Sequence, residues 1–200
     1  LVTKNAVFMR SVAFRKRLVL KMKVRNIFME FLSLAKQRCS VRKYKTDEIE
    51  KEKLDKILEA ARIAPTAANA QSQRLLVISS QEAKEKLSKG VNYHGAPLAI
   101  IVCGDHSDVF VRPFDKKDMV SVDATIVADH IVLEAEDLGL SSCWLTYFDP
   151  EIIRNEFNIP SNLEPIAIIA VGYADTEKAS PDRHSKDRKA LESLVCYETF

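Results

Sequence analysis

The sequence predicts an α+β domain of three layers, in which helices flank a central mixed, mainly antiparallel sheet. Two continuous apolar runs, LAIIVCG at 98–104 and EPIAIIAVGYA at 164–174, have the length and composition of buried strands. Helical and strand-like segments alternate along the chain, but not as a regular βαβ series, and no Gly-rich turn follows the first strand. This pattern predicts one sheet of about four or five strands.

The first half of the domain begins with two predicted helices. Apolar residues recur at helical spacing between residues 31 and 38. A second helix is predicted to follow Thr46, a suitable N-cap, and to end at Pro65. Its apolar residues lie largely on one stripe: Ile49, Leu54, Ile57, Leu58 and Ala61. The next segment, at 74–80, is short and β-branched, which predicts a strand.

Three further helices are predicted after this strand. The first is a brief polar helix at 81–88. The second, at 118–138, is apolar around nearly its whole circumference, which predicts a central, buried helix with Gly139 as its left-handed terminator. The third begins at Asp149 and Pro150, which suit the N-cap and first helical positions.

The charge distribution separates residues 1–28 from the rest of the chain. Those residues carry eight basic side chains and no acid, whereas residues 29–200 hold 28 acids against 22 bases. We therefore expect 1–28 to be a basic appendage, such as a transit peptide or an upstream translated stretch, and 29–200 to be a single functional domain. The alternative is an ordinary N-terminal helix. The mildly acidic body argues against a nucleic-acid partner.

Apolar runs and cysteines indicate the environment. No uninterrupted apolar run approaches the ~18 residues that a membrane span needs, so no membrane role is expected. The four cysteines form no CxxC pair and have no histidine at zinc-ligand spacing, so no metal site is expected. Two disulfides are conceivable, but free buried thiols in a reducing compartment are favoured, which predicts a cytoplasmic protein.

The first stretch that suggests a binding site is Arg38-Cys39-Ser40-Val41-Arg42-Lys43-Tyr44. Two guanidinium groups four residues apart flank a serine hydroxyl. Arginine presents a planar set of donors that suits phosphate oxygens, and the serine could donate to the same anion. Taken alone, the stretch is also typical of a solvated basic helix end.

The second stretch, Ala64 to Gln71, places two amides and a hydroxyl among small residues directly after a helix. Small side chains let a planar ring approach the backbone, and Asn and Gln match the donors and acceptors at the edge of a flavin or purine. The alternative interpretation is a polar loop that leads into the next strand.

Two later stretches complete the set. Gly139 to Thr146 is a glycine turn followed by an aromatic strand end, which could form a wall of a ring-binding slot or could place Trp144 in the core. Arg183 to Lys189 offers further cations for a phosphate, or is a soluble tail. The scattered histidines include one pair four residues apart, His130 and Glu134, which is too little for a metal site.

Taken in order, these stretches and three shorter ones form a recognisable series. The shorter ones are Phe148-Asp149-Pro150-Glu151, Glu164 to Tyr173, and Arg188-Lys189-Ala190-Leu191-Glu192. The series resembles the nitroreductase family of FMN-dependent oxidoreductases over about residues 30–200, and the resemblance implies the three-layer nitroreductase-like fold. The absence of a G-x-G-x-x-G fingerprint fits a protein that uses a nicotinamide only as a passing reductant.

The chain departs from the family pattern at several positions. Thr66 stands where serine is usual, and Ser72-Gln73 stands where Pro-Trp is common. Ser141 replaces a frequent glycine, and Ala190 replaces a usual proline. These departures bear on the shape of the substrate pocket more than on the flavin site.

The resemblance implies a homodimer that binds FMN at the subunit interface. Arg38, Ser40 and Arg42, together with Arg188, would hold the phosphate and pyrimidine end. The small-residue loop would line the ring or approach it from the partner chain, and the 143–146 backbone would lie behind the ring. The cofactor-binding residues expected in addition are Cys39, Pro65, Thr66, Ala67, Asn69, Gln71, Cys143, Trp144, Leu145, Thr146 and Lys189.

The implied reaction is a ping-pong cycle. NADH or NADPH would deliver hydride to the flavin, and a nitroaromatic, a quinone or another electrophile would then accept it. The flavin carries this chemistry, so no catalytic side chain is expected. The rival hypotheses are a non-redox flavin- or ligand-binding module on the same fold, and a relative that modifies flavin, dehalogenates or reduces enones.

Overall fold

The computed structural model describes residues 30–200, so the predicted appendage at 1–28 lies outside the described residues. The chain divides into two units, at 1–34 and 35–200. In the first unit only 30–34 are described, and they form the first helical residues, stabilised by a bond of 3.0 Å from the Leu34 amide to the Glu30 carbonyl. The second unit contains the sheet and its helices.

Helices and strands follow one another in the order expected from the sequence. The helices are α1 (Phe31–Gln37), α2 (Lys51–Ile63), α3 (Gln81–Ser88), α4 (Val120–Asp137), α5 (Pro150–Glu156) and α6 (His184–Asp187). The strands are β1 (Gln73–Ile78), β2 (Leu98–Asp105), β3 (Ser141–Leu145) and β4 (Leu163–Gly172). Short 3-10 turns occupy Ala67–Asn69, Pro181–Arg183 and Leu191–Ser193.

The four strands form one sheet in the order β1-β2-β4-β3, and every pair of named strands is antiparallel. In the central pair, Leu98 lies opposite Val171 and Asp105 lies opposite Leu163, with an irregularity after Val102. The mixed character is confined to an isolated parallel bridge between Ser40 and Ser142. The predicted α+β fold with its mainly antiparallel central sheet is confirmed.

Helices cover both faces of the sheet, which gives the three predicted layers. On one face, α2 and α4 pack over a core that includes Ile100 and Ile169 of the central strands. On the other face, α3 and α5 enclose a second core built on Ile101 and Ile168. Because all eight residues of β2 are buried, its run is apolar rather than alternating. Complete burial of each large aliphatic side chain contributes about 1.5–3 kcal/mol.

Helix α4 lies against the sheet, but only part of its circumference is buried. Val122 stays 44% exposed, whereas the acidic side chains Asp123 and Glu136 are buried. The helix approaches β2 closely, since a Cβ built on Gly104 would lie 2.5 Å from the Val120 side chain. The predicted terminator, Gly139, has φ of +75°, a conformation that glycine adopts without a steric penalty.

One predicted helix start is confirmed and another is wrong. Asp149 caps α5, because its Oδ1 accepts bonds of 3.0 Å from the amides of Glu151 and Ile152. Thr46 does not cap α2, which begins five residues later at Lys51. The segment before α2 is held extended, because the Lys45 amide donates to the Tyr173 carbonyl at 2.9 Å.

No helix among residues 30–200 is long and apolar enough to cross a bilayer. All four thiols are free. Those of Cys39, Cys103 and Cys143 are buried, and that of Cys196 is exposed. Burial raises the pKa of Cys103 to about 11, so this thiol stays protonated at neutral pH. No group of three or more potential metal-binding side chains occurs in the described part of the chain.

His106 links the end of β2 to two carboxylates and predicts a pH-dependent stability. Its ring nitrogens lie 2.8 Å from Glu164 Oε2 and 3.1 Å from Asp118 Oδ2. The bond to Glu164, aided by Asp118, raises the pKa of His106 above its usual value. A raised folded-state pKa adds stability that is fully present below the unfolded pKa and is lost as the pH rises through the folded value.

We therefore expect His106→Gln to lower the urea midpoint more at pH 5.5 than at pH 9. Glu164→Gln should reduce the same pH dependence, because it removes the carboxylate with the largest effect on the pKa of His106. Equal losses in the His106 variant at both pH values would mean that the ring acts only as a neutral hydrogen-bonding group.

Candidate functional site

The segment from Arg38 to Tyr44 runs along the edge strand of the sheet. The Val41 amide donates to the Ser142 carbonyl at 3.0 Å. The Tyr44 hydroxyl, itself buried, donates to the Val41 carbonyl at 2.7 Å and so closes the segment on itself. Side chains alternate from Cys39 to Arg42, with Cys39 and Val41 buried and Arg42 exposed, and Tyr44 is buried further along. Ser40 is also exposed, whereas Arg38 is half-buried.

The charges of Arg38 and Arg42 influence groups on β3 and nearby. Burial raises the pKa of the Cys143 thiol, and the charge of Arg42, a hydrogen bond with Ser40 and the charge of Arg38 oppose that rise. Burial and the nearby Arg42 charge lower the pKa of His94. Both guanidinium groups therefore act on Cys143, the middle residue of β3. Neither has a carboxylate partner within salt-bridge distance among residues 30–200.

The third predicted stretch supplies both core and accessible atoms. Cys143 is buried beside Cys39, Val41 and Tyr44. Trp144 is only partly buried and packs against the core under α2 and α4, as the core interpretation expects. Leu145 ends β3, and Thr146 is exposed just beyond it. The backbone here remains available to line a slot.

The fourth stretch, Arg183 to Lys189, contacts the first stretch through the Arg183 side chain. Its guanidinium donates to the Arg38 carbonyl at 2.7 Å and to the Lys36 carbonyl at 3.1 Å. Arg188 follows in the exposed tail, with its Nε 3.5 Å from His184 Nδ1, and Lys189 is exposed. Three of the four predicted stretches therefore meet at one end of the sheet.

The second stretch is a strained loop that is bound to α4. Ala68, Asn69 and Gln71 all have φ between +50° and +60°, which costs energy for residues other than glycine. Thr66 Oγ1 accepts from the Gln71 amide at 3.0 Å, and this contact stabilises the turn. Pro65 and Asn69 are exposed, so the loop presents them outward.

Asp123 is a functional candidate that the sequence reasoning missed. It is completely buried, and its Oδ1 accepts from the Ala67 amide at 2.9 Å. The Ser72 hydroxyl donates to its Oδ2 at 3.4 Å. The available signal was a carboxylate within an otherwise apolar helical run, which requires a partner when it is buried.

The second stretch and Tyr44 of the first stretch lie at opposite ends of β2. The Ser72 carbonyl, which follows the loop, accepts from the Asp105 amide at the last residue of β2. Tyr44 instead lies beside Gly172 and Pro97, next to the first residue of β2. A strand rises about 3.3 Å per residue, so about 23 Å separates these ends. Within one chain the second stretch is therefore separated from Tyr44 of the first stretch by the length of β2.

The residues at the β3 end fit the phosphate of FMN. Two guanidinium groups without acidic partners, an outward hydroxyl and a nearby basic tail form a donor set for an anion with several acceptor oxygens. The small side chains and amides of the loop from Ala64 to Gln71 fit the edge of a planar ring. The residues present therefore fit the phosphate of FMN in one place and the edge of its ring in another.

Comparisons with known proteins identify the family. The model of the nitroreductase family matches residues 35–92 and 89–173. A putative NADH dehydrogenase/NAD(P)H nitroreductase from Methanothermobacter thermautotrophicus is 33% identical over 172 residues, covering 82% of this chain and 87% of that protein.

Two solved structures share both the fold and much of the sequence. A nitroreductase family protein from Clostridium difficile 630 is 52% identical with a TM-score of 0.85, covering 86% of this chain and 100% of that one. An FMN-dependent nitroreductase from Clostridium difficile R20291 is 36% identical with a TM-score of 0.68, covering 84% of this chain and 99% of that one. The chain belongs to the nitroreductase family.

Proposed function

We propose that the protein is an FMN-dependent oxidoreductase that passes hydride from NADH or NADPH to a nitroaromatic, a quinone or a similar electrophile. The similar structure from Clostridium difficile R20291 is described as an FMN-dependent nitroreductase. The name of the relative from Methanothermobacter thermautotrophicus includes NAD(P)H as the reductant. The observation that carries the proposal is the cluster of half-buried Arg38 with exposed Ser40 and Arg42 beside β3, in which neither arginine has an acidic partner in the described residues.

The phosphate end of FMN would lie against this cluster. Arg38 and Arg42 would supply charge-assisted bonds, the Ser40 hydroxyl would donate one more, and Arg188 and Lys189 would approach from the tail. Cys39 is buried, so only its backbone could contact the ligand. The backbone from Cys143 to Thr146 would support one side of the ring.

FMN, when bound, supplies the hydride acceptor and donor, which leaves binding and orientation to the protein. The loop residues Pro65, Thr66, Ala67, Asn69 and Gln71 would meet the ring edge and restrict how the substrates stack on it. The buried Asp123 carboxylate would hold this loop in place through the Ala67 amide. The reductant would leave before the acceptor enters the same slot, so the cycle would be ping-pong.

The working unit would be a homodimer with each FMN shared between chains. The separation of the loop from the basic cluster within one chain supports this arrangement. The C-terminal tail supports it as well, because it exposes Leu191, Leu194 and Tyr197, the last at 87%. Exposed apolar residues on an extended tail are typical of a surface that is covered by another chain. The buried free thiols suit a reducing compartment such as the cytoplasm.

The test is an absorbance spectrum of the purified protein followed by anaerobic titration. We expect a yellow protein with one releasable FMN per subunit, whose flavin band bleaches on addition of NADH or NADPH and returns on addition of a quinone. A protein that binds FMN but is not reduced by either nicotinamide would be the non-redox flavin-binding module. A colourless protein that does not take up added FMN would contradict the proposal.

A further inference from the structure

The guanidinium of Arg183 binds backbone rather than facing solvent as a free cation. It donates to the carbonyl oxygens of Arg38 at 2.7 Å, Ser180 at 3.0 Å and Lys36 at 3.1 Å. A bond of 3.5 Å to the Ala179 carbonyl completes the set. Nη1 and one donor of Nη2 are therefore engaged by the backbone, which fixes the position of the guanidinium.

These bonds join the tail to the basic segment. The carbonyls in the last turn of a helix lack intrahelical partners, and Lys36 belongs to the last turn of α1. Arg183 donates to the Lys36 carbonyl and to the carbonyl of Arg38, two residues before Ser40. The His184 ring lies 3.2 Å from the same Lys36 carbonyl and strengthens the junction.

The junction is the last anchor of the tail before Arg188. Upstream, Lys178 bonds to both carboxylate oxygens of Glu136 at 2.9 Å. Downstream, the side-chain bond of Arg188 goes to His184, and the bonds of residues 189–200 are internal to the tail in the described chain. The placement of Arg188 therefore depends on the junction at Arg183 and His184.

We infer that Arg183 is a positioning residue that holds the Arg38–Arg42 segment and the Arg188 tail in register as two halves of one phosphate site. This inference rests on the proposed FMN function. Arg183 acts through the Arg38 backbone on one side and through the tail that carries Arg188 on the other. Only arginine can span several carbonyls with a planar, divergent set of donors, whereas lysine offers a single nitrogen.

The test combines hydrogen exchange of the ligand-free protein with FMN affinity. In Arg183→Ala, amide exchange should accelerate in 180–188 and 37–42 and should stay unchanged in β2 and β4, because only the local junction is lost. FMN affinity should fall roughly tenfold, within the range of coupling between residues that share a network. Arg183→Lys should lie between the wild type and the alanine variant, which covers the case of an alanine variant that folds poorly.

Arg188→Ala is the matched control, because it removes a tail cation and leaves every bond of Arg183 intact. It should weaken FMN binding without accelerating exchange at 37–42. In the Arg188→Ala background, Arg183→Ala should lower FMN affinity much less than it does in the wild type. The reason is that part of the effect of Arg183 is exerted through Arg188.

Unchanged exchange in Arg183→Ala would overturn the inference, and so would accelerated exchange with full FMN affinity. Fully multiplicative losses in the double variant would also contradict it, because Arg183 and Arg188 would then act independently. A wild-type protein without FMN affinity would overturn the proposed function together with the inference. If the wild type binds FMN and Arg183→Ala binds it equally well, the inference is overturned and the proposed function stands.

Discussion

Arg42→Ala should weaken FMN binding by roughly tenfold to more than a hundredfold. A charge-assisted hydrogen bond to a phosphate contributes about 1.5–3 kcal/mol, and each 1.4 kcal/mol corresponds to about tenfold in Kd. Arg42 faces outward and has no acidic partner in the described residues, so its charge is free for a ligand. The loss should show in an equilibrium titration followed by flavin fluorescence.

Arg62→Ala is the matched control for this prediction. Arg62 is also an exposed arginine, but it lies on α2 and pairs with Glu59 at 2.6 Å. Its removal should leave the FMN Kd unchanged. Raised salt should weaken FMN binding more in the wild type than in Arg42→Ala. Salt screens the attraction between Arg42 and the phosphate, and the variant lacks that attraction. An unchanged Kd in Arg42→Ala would show that this guanidinium is only a solvated surface charge.

Dimerisation and FMN binding should depend on each other. If the loop from Pro65 to Gln71 of one chain completes the site at Arg38 and Arg42 of its partner, FMN binds strongly only to the dimer. By mass action, FMN should then lower the dissociation constant of the dimer, and dilution should release FMN. Analytical ultracentrifugation across a concentration series, with and without FMN, measures both effects.

Mixed dimers offer a sharper test of the shared site. One chain carries Arg42→Ala, and the other carries Asn69→Gly, which removes the amide but tolerates the φ of +55° at that position. In a shared arrangement, each mixed dimer has one site with both changes and one site with neither. Half of its sites should therefore bind FMN with wild-type affinity. A mixed dimer without any wild-type site, or a monomer that binds FMN at full affinity, would exclude sharing.

Local signals in the sequence were sufficient for most of the fold. The apolar run of β2, the Asp149 cap of α5 and the Gly139 terminator of α4 each depend on residues within a few positions, and all three predictions are confirmed. The Thr46 cap was wrong because the chain before α2 pairs with the Tyr173 backbone, a contact between residues far apart in sequence. No local pattern reports such a contact.

The candidate site divides in the same way. The sequence by itself determined which side chains suit a phosphate and a planar ring, because donor chemistry and small-residue spacing are local properties. Only the tertiary structure decided that the basic segment, β3 and the tail meet, that Arg183 binds backbone, and that Asp123 holds the loop. It also decided that the loop lies beside the Asp105 end of β2 and Tyr44 beside the Leu98 end, ends that are about 23 Å apart along the strand. Strand register sets these distances, and register arises from pairing across the sheet rather than from any one segment.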